Sequence, residues 1–336
     1  MKKKYDIYGI GAALVDTEIT LTDKDLKEMN VDKGVMTLVD EQRQTELIQL
    51  LQHHLVASKK ASGGSGANTI IAASYFGCNN FYSCKVADDE NGAFYLKDMQ
   101  AAGVTCTTYQ GSEQGITGKC LVMITPDAER TMNTFLGVST LLSHKELDFS
   151  AAADTNYVYI EGYLVTSETG RAAAIQLRNQ AKQHGAKIAM SLSDPAMVQF
   201  FRDGLLEMIG DGVDLLFCNK DEALGFTQTD NLDAACEALK KYAKQFAITC
   251  GAQGAVVFDG TSVMNIESCS VKAIDTNGAG DMFAGAFMYC LCKGNDFFTA
   301  GNFASLAAAN VVSQYGPRLR EEQYQKLKIS FDHKLS

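Results

Sequence analysis

No apolar run in this chain approaches the ~20 residues needed to cross a bilayer. The nearest imitation of a targeting signal is Lys2-Lys3-Lys4 ahead of the apolar stretch 7–15. Asp6 interrupts it, and Asp16-Thr17-Glu18 follows where a small-residue cleavage site would stand, so it reads as a first β-strand of a cytoplasmic protein. The ten cysteines form no C-x-x-C pair, and most sit in apolar runs such as Leu215-Leu216-Phe217-Cys218. That pattern excludes a zinc site or disulfide framework in favour of buried thiols. The five histidines show no metal-ligand spacing, and with only three prolines the chain has no repeat or low-complexity segment. A basic surplus is missing too: the net charge of −10 argues against nucleic acid as a partner. It does not exclude a nucleotide, whose phosphates need only a locally positive site. Two nucleotide-binding motifs are also absent. No Gly-x-x-x-x-Gly-Lys-Ser/Thr occurs, and Gly9-Ile10-Gly11 runs into Ala12-Ala13-Leu14 without the third glycine of a dinucleotide fingerprint.

What remains is an ordinary globular composition, 46% hydrophobic and 21% charged, over 336 residues. Strand patterns at 5–11, 81–86, 157–160, 187–190, 213–218, 246–249 and 255–258 alternate with helical patterns at 65–76, 90–102, 168–184, 231–244, 278–293 and 296–314. This alternation predicts a mostly parallel sheet with helices on both faces. Further helices are expected at 23–30 and 40–55. Short strands at 15–20, 35–39, 115–124 and 130–135, the last two joined by a Pro126-Asp127 turn, predict a small β-lobe. Excursions at about 15–39 and 104–136 out of a single domain would form it, as a lid over the sheet.

The chemistry concentrates in Asp275-Thr276-Asn277-Gly278-Ala279-Gly280-Asp281. The two glycines allow a tight turn into a helix, whose first N–H groups lack partners and face the positive end of the dipole. Gly278, Ala279 and Gly280 are therefore candidate anion donors. Asp281 is a candidate base beside them, a pairing suited to moving a phosphoryl group onto an alcohol. A carboxylate at a helix N-terminus is expected to be a weak base. Ser62-Gly63-Gly64-Ser65-Gly66-Ala67-Asn68 offers close backbone approach at Gly63 and Gly64, and a donor and acceptor at Asn68. Asp16 ends the first strand segment, where a carboxylate can accept from a diol. Asn219-Lys220-Asp221-Glu222 follows a strand, at the edge where open α/β sheets bind ligands, and is also a capping-box pattern.

Taken together, the motifs around Gly63–Asn68 and Asp275–Asp281, in that order, resemble the PfkB/ribokinase family of small-molecule kinases. The likeness extends over nearly the whole chain. Within the family it is to adenosine kinases, through Gly9 to Asp16, Asp23-Lys24-Asp25-Leu26, Tyr159-Ile160-Glu161-Gly162 and the Asn277 form of the last motif. The resemblance implies a ribokinase-like three-layer α/β/α sandwich with a β-sheet lid, ATP as donor, and Mg²⁺ organised through water by Glu222. It implies Asp281 as base, the 278–280 amides as anion hole, and Asp16, Gly63, Gly64 and Asn68 as acceptor site. Arg130 is expected to close over phosphates; Asn219, Thr249, Gly251, Gly254 and Asn310 are expected to contact the nucleotide. The likeness includes a K⁺ site at Asp275. The implied acceptor is a nucleoside, adenosine first. Against that, Ala12-Ala13 stand where adenosine kinases carry Asn-Pro, and Leu164 stands where they carry a second aromatic after Tyr163. Phe135 and Tyr163 are the aromatics left to stack on a base. A sugar such as ribose or fructose is the alternative acceptor, and a non-catalytic metabolite sensor the third reading. Monomer and homodimer both suit the pattern.

Overall fold

The computed structural model describes residues 2–54, 59–106, 114–127 and 129–335. Positions 107–113 and 128 of the expected lid, and position 55 of the expected second helix, lie outside the described residues. In chain order the strands are β1 (Tyr5–Ile10), β2 (Leu14–Thr20), β3 (Met36–Leu38), β4 (Lys59–Gly63), β5 (Asn80–Ser83), β6 (Val104–Cys106), β7 (Thr117–Ile124), β8 (Arg130–Gly137), β9 (Thr155–Ile160), β10 (Lys187–Ser191), β11 (Val213–Asn219), β12 (Ala243–Thr249), β13 (Ala255–Phe258) and β14 (Val263–Ile266). The helices are α1 (Asp23–Glu28), α2 (Glu41–Leu50), α3 (Ser65–Phe76), α4 (Glu90–Ala101), α5 (Phe149–Ala153), α6 (Glu168–Gln183), α7 (Pro195–Ile209), α8 (Lys220–Thr227), α9 (Leu232–Leu239), α10 (Ala279–Cys292), α11 (Phe297–Val312) and α12 (Glu321–Leu335).

Nine strands form the main sheet in the order β14-β13-β12-β11-β10-β9-β1-β5-β6. All are parallel except β13 and β14, which fold back as an antiparallel edge. Alternate residues of each central strand enter opposite cores. Tyr157, Tyr159, Leu215 and Phe217 face the helices α3, α4, α10, α11 and α12. Val158, Ile160, Leu216 and Cys218 face α5 to α9. This is the expected three-layer sandwich, and burial on both faces is why its strands read as continuous apolar runs. The ten cysteines are free thiols. Among the described residues no helix is long and apolar enough to cross a membrane.

The lid is a five-stranded sheet, β3-β8-β7-β2-β4. Ile19, Leu121 and Met123 pack under Leu26 and Met29 of α1 and its C-cap, and under Leu47 of α2. The opposite face carries Leu14, Asp16, Cys120, Met132, Thr134 and Leu136 and forms one wall of the cleft. Two boundaries differ from expectation. Val104–Cys106 pairs with β5 and extends the main sheet, so the second lid excursion begins later. Lys59–Gly63 is a lid strand on β2, although its small and polar residues carry no alternating apolar signal. Helices α7 and α12 were also absent from the sequence pattern, and 231–244 divides into α9 and the start of β12.

Helices α3 and α10 position the site. Gly285 of α10 lies so close to α3 that a Cβ there would fall 2.5 Å from the Thr69 carbonyl oxygen. This close approach sets the two N-termini side by side. They share a second property. Helices α1, α2, α4 to α9 and α11 each begin with a Ser, Thr, Asp or Asn whose side chain caps the first turn. Helices α3 and α10 begin at Gly64 and Gly278 with no side-chain cap. At α10 this leaves open N–H groups on the cleft, whereas at α3 the Glu161 carboxylate takes up the Gly66 N–H.

Candidate active site

A cleft of about 410 Å³ runs between the C-terminal ends of the parallel strands and the inner face of the lid. That volume is in the range of small-molecule sites. Asp16, Gly64, Asn68, Asn219, Glu222, Thr249 and Gly278 to Asp281 all line it, so the two sequence motifs meet in one cavity.

At one end Gly278 turns in the left-handed region (φ 73°) against Pro317, whose carbonyl oxygen would stand 2.6 Å from any Cβ at 278. Among the described residues no acceptor meets the N–H groups of Gly278, Gly280 or Asp281. Ala279 departs from expectation: its N–H reaches back to the Thr276 carbonyl at 3.3 Å. Asp281 N–H joins the open donors in its place. The space beyond the Gly280 Cα is clear of protein atoms.

Asp281 stands at the meeting point of the two helices. Ser65 Oγ donates to its Oδ1 at 2.6 Å, and Asn68 Nδ2 donates to its Oδ2 at 3.2 Å. Burial pushes its carboxyl up to about 6, against the pull of Ser65, Asn68 and Arg318. Desolvation thus outweighs the helix terminus, and the carboxylate is a better base than its position in the sequence implies. Ser65 and Asn68 belong to the first turn of α3, so the glycine-rich segment is itself the helix start.

The acceptor end is built around Asp16 on β2. Gly63 stands opposite, where a Cβ would fall 2.2 Å from the Asp16 carboxylate, so only glycine leaves room for it. Burial raises Asp16 to about 7, partly offset by Arg318. Hydroxyl donors from a ligand would bring it down again. Tyr163 and Leu164 also line the cleft, Tyr163 with its hydroxyl on Asp194 Oδ2 at 3.5 Å. Phe135 does not: its neighbours Thr134 and Leu136 face the cleft, which turns Phe135 to the other face of β8.

Several other expected contacts fall elsewhere. Arg130 is buried and bonds Asp275 and, at 3.3 Å, Glu18; it does not line the cleft. Asp275 Oδ1 accepts from Asn277 N–H at 3.0 Å, and Oδ2 accepts from Gly316 N–H at 2.7 Å as well as from Arg130. The Asp275 carboxylate thus has donors on both oxygens. Gly251 and Gly254 lie outside the cleft, Gly254 in a turn where a Cβ would meet the Ile266 carbonyl oxygen. Asn310 Nδ2 bonds back to Leu306 O within α11.

Glu222 realises its capping box. It accepts from Asn219 N–H at 3.0 Å and from Asn219 Nδ2 at 2.6 Å while still facing the cleft. Burial raises it to about 7, and the charges of Asp194, Asp221 and Asp281 add to the rise. Among the described residues no three His, Cys, Asp or Glu side chains converge to ligate a metal directly. Among the described residues the lining holds Asp16, Glu161, Asp194, Glu222 and Asp281 but no Lys, Arg or His. Five carboxylates facing one cavity suit a hard cation that keeps its waters, as Mg²⁺ does.

Two residues of the site were not read from the sequence. Glu161 is buried and accepts from Ala12 N–H at 2.6 Å and Gly66 N–H at 3.2 Å, tying the end of β1 to the start of α3. It lies in a segment that marked the likeness, yet no local pattern gave it a role. Arg318 comes from the loop before α12 and donates to Asn68 Oδ1 at 2.9 Å. A lone arginine on an irregular loop carries no motif.

Comparison with known proteins agrees with this geometry. Residues 37–323 match the family described as pfkB family carbohydrate kinase. Adenosine kinase from Saccharomyces cerevisiae is 28% identical, with 94% of this chain and 96% of that protein covered. Ribokinase from Haemophilus influenzae is 29% identical over 76% of this chain and 82% of its own. Among solved structures, adenosine kinase from Sinorhizobium meliloti is 32% identical with a TM-score of 0.88, covering 99% of this chain and 100% of that one. A probable sugar kinase protein from Rhizobium etli CFN 42 is 31% identical, again with a TM-score of 0.88, covering 98% and 99%. Uncapped helix starts, a carboxylate between them and a family match over most of the chain lead to one conclusion: the chain belongs to the pfkB family and is an ATP-dependent kinase that phosphorylates a hydroxyl group.

Proposed function

We propose that the acceptor is a nucleoside, adenosine or a close relative, phosphorylated on its 5′-hydroxyl. The observation that carries this reading is the wall beyond Asp16. There Leu14, Met36, Leu38, Met132 and Leu136 of the lid make an apolar surface in the cavity that Tyr163 also lines. A flat heterocyclic base gains from such a surface, whereas a bare sugar, rich in hydroxyls, leaves it without a partner. The similarity to adenosine kinases supports the same acceptor.

ATP lies along the strand ends, with its transferred phosphoryl at the start of α10. The N–H groups of Gly278, Gly280 and Asp281 take up negative charge that develops there. Asp281 accepts the hydroxyl proton, late in a loose transition state. Asp16 holds the ribose hydroxyls, and the remaining Asn68 N–H helps to orient them. Bound through water near Glu222 and Asn219, Mg²⁺ would offset the charge of the phosphates in a cleft whose lining has no cation of its own.

The second reading is a sugar kinase with identical chemistry. It is favoured by Ala12, Ala13 and Leu164, and by similarity to a ribokinase and to a probable sugar kinase. ATP consumption measured with adenosine, other nucleosides, ribose and fructose separates the two. Turnover of adenosine is expected. Turnover of ribose or fructose with no nucleoside active would establish the second reading.

A further inference from the structure

Arg318 reaches three elements with one guanidinium. Its Nε donates to Asn68 Oδ1 on α3 at 2.9 Å, its Nη1 to Asp98 Oδ2 on α4 at 3.0 Å, and its Nη2 to Ser62 Oγ on β4 at 3.0 Å. Ser62 N–H also bonds Asp98 Oδ2 at 3.0 Å. The loop that carries Arg318 supports the anion turn as well, through Pro317 against Gly278 and Gly316 N–H on Asp275. Asn68 is thus held from two sides by groups of opposite hydrogen-bonding character. Arginine can only donate, and an ionised carboxylate can only accept. The amide oxygen must therefore face Arg318 and the amide nitrogen must face Asp281. Among the described residues the cleft lining has acids but no cation, and Arg318, behind it, supplies a positive charge that acts on the reacting carboxylate.

We propose that Arg318 is a positioning residue for the phosphotransfer: it fixes the direction of the Asn68 amide and keeps Asp281 in its proton-accepting form at neutral pH. This rests on Asp281 being the base. The acids facing Asp281 are Asp16, Glu161 and Glu222, each raised first by burial and further by the charge of Asp281, so these carboxylates disfavour one another's ionised forms; Tyr159 and Tyr163 beside them are held neutral by burial. Asp16 itself feels Glu18 and Arg130 from the lid. Arg318 opposes them, pulling Asp16 and Asp281 down. Asp98 in turn shares the guanidinium; burial pushes its own carboxyl up, but Ser62 and Arg318 outweigh that and hold it below the usual range.

The test is the pH profile of kcat/KM with adenosine, or with ribose if adenosine is not turned over, for three variants. Arg318→Met removes charge and fork together. Its acid limb is expected to move up by about one pH unit, with activity at pH 6 falling about 5-fold more than at pH 8.5. Arg318→Lys keeps the charge and loses the three-way bridge, so KM for the acceptor rises while the acid limb stays. Asp98→Asn frees the guanidinium charge, and its acid limb is expected to move down. Opposite movement in Arg318→Met and Asp98→Asn is a result that loosened packing cannot give. An Arg318→Met protein that melts cooperatively yet keeps the wild-type acid limb overturns the proposal. If that variant does not fold, an unmoved limb in Asp98→Asn overturns it. Asp281→Asn separates the two levels: if it turns over normally, the base assignment fails and this role with it. If it is inactive while the limbs stay fixed, only the role of Arg318 fails.

Discussion

The main sheet and the lid use their faces differently. The nine-stranded sheet is covered by helices on both sides, and its strand residues alternate between two apolar cores. The lid is covered on one side only, by α1 and α2, and its bare side is a wall of the cleft. The groups proposed for the chemistry, Asp281, Ser65, Asn68 and the open N–H groups, stand on helices of the doubly covered layer. Those proposed to choose the acceptor, Asp16 and its apolar neighbours, stand on the half-covered one. Rigid packing suits groups that must be held to a fraction of an ångström. A wall packed on one side only is free to change its inner face without disturbing the core, which suits the part that distinguishes one acceptor from another.

Substitutions can break this division, beginning with the largest effect. Asp281→Asn should lower kcat by about 10³-fold, since a general base of this kind is worth 10²–10⁴. ATP should still bind, because the N–H groups that meet the phosphates are backbone. Single-turnover kinetics with titration of ATP would check both, and near-wild-type kcat would remove Asp281 from the role of base. On the lid side, Asp16→Ala should raise the acceptor KM by about 10–100-fold, the worth of one or two hydrogen bonds to a charged group, with a smaller change in kcat. Gly63→Ala reaches the same carboxylate from behind, because its methyl would occupy the space that Asp16 uses. It should reproduce the KM effect with the charge still present. An unchanged acceptor KM in both variants would take the acceptor off the lid and end the comparison.

A smaller effect sharpens the other side. Gly280 has no positive φ and nothing within 4 Å of where a Cβ would stand. For folding, alanine there should be neutral or slightly stabilising, by about 0.4–1 kcal/mol through the unfolded chain. For function its methyl projects into the space of the transferred phosphoryl, and a loss of about 10-fold in kcat/KM for ATP is expected, the cost of a misplacement of the order of an ångström. A raised melting temperature with lowered activity would show that this glycine is kept for the ligand. Unchanged activity would mean that the phosphoryl sits elsewhere.

The doubly covered layer was also the more legible in sequence. Its strands are long apolar runs and its helices long periodic ones, and Ser65–Phe76 and Ala255–Phe258 form where the pattern placed them. The glycine-rich starts of α3 and α10 were readable because a turn of that kind needs specific residues. In the lid, strands of similar length but buried on one face, or with one face in the cleft, gave weaker signals. β4 went unseen because Lys-Lys-Ala-Ser-Gly pairs by backbone hydrogen bonds alone, without an apolar face. Within the site, the residues proposed to touch ligand had motifs, and those that hold them did not. Glu161 acts through backbone N–H groups brought together only by the fold. Arg318 lies far along the chain from each group it bonds, and no spacing rule connects them. Arg130 was misread for the complementary reason. Its position on a lid hairpin suggested a reach into the cleft, but β8 turns it toward the buried Asp275.

The mildest perturbation tests the whole cleft at once, through the melting temperature of the unliganded protein against pH. Asp16, Glu161 and Glu222 are raised to about 7 and Asp281 to about 6, first of all by burial. In the unfolded chain such groups titrate near 4. Between these values the folded protein binds more protons than the unfolded one, so its stability falls as pH rises. The contribution of these four carboxyls is complete below pH about 4 and is lost as pH passes through about 6 to 7. Other carboxylates have the opposite sign: Asp25 is held low by the Thr22 hydroxyl, Asp127 by Lys33, and Asp259 by the Ser262 N–H. Their stabilisation is present above pH about 4 and fades below it. The two trends place the maximum near pH 5, with a fall of about 10 °C between pH 5.5 and 8. Asp16→Asn and Glu222→Gln should each flatten the upper slope, since an amide has nothing to titrate. A lid carboxylate and one from the main layer contributing alike would mean that both walls are desolvated by the same enclosed space. A slope that responds to Glu222→Gln but not to Asp16→Asn would mean that the lid stands open in solution and Asp16 is already wet.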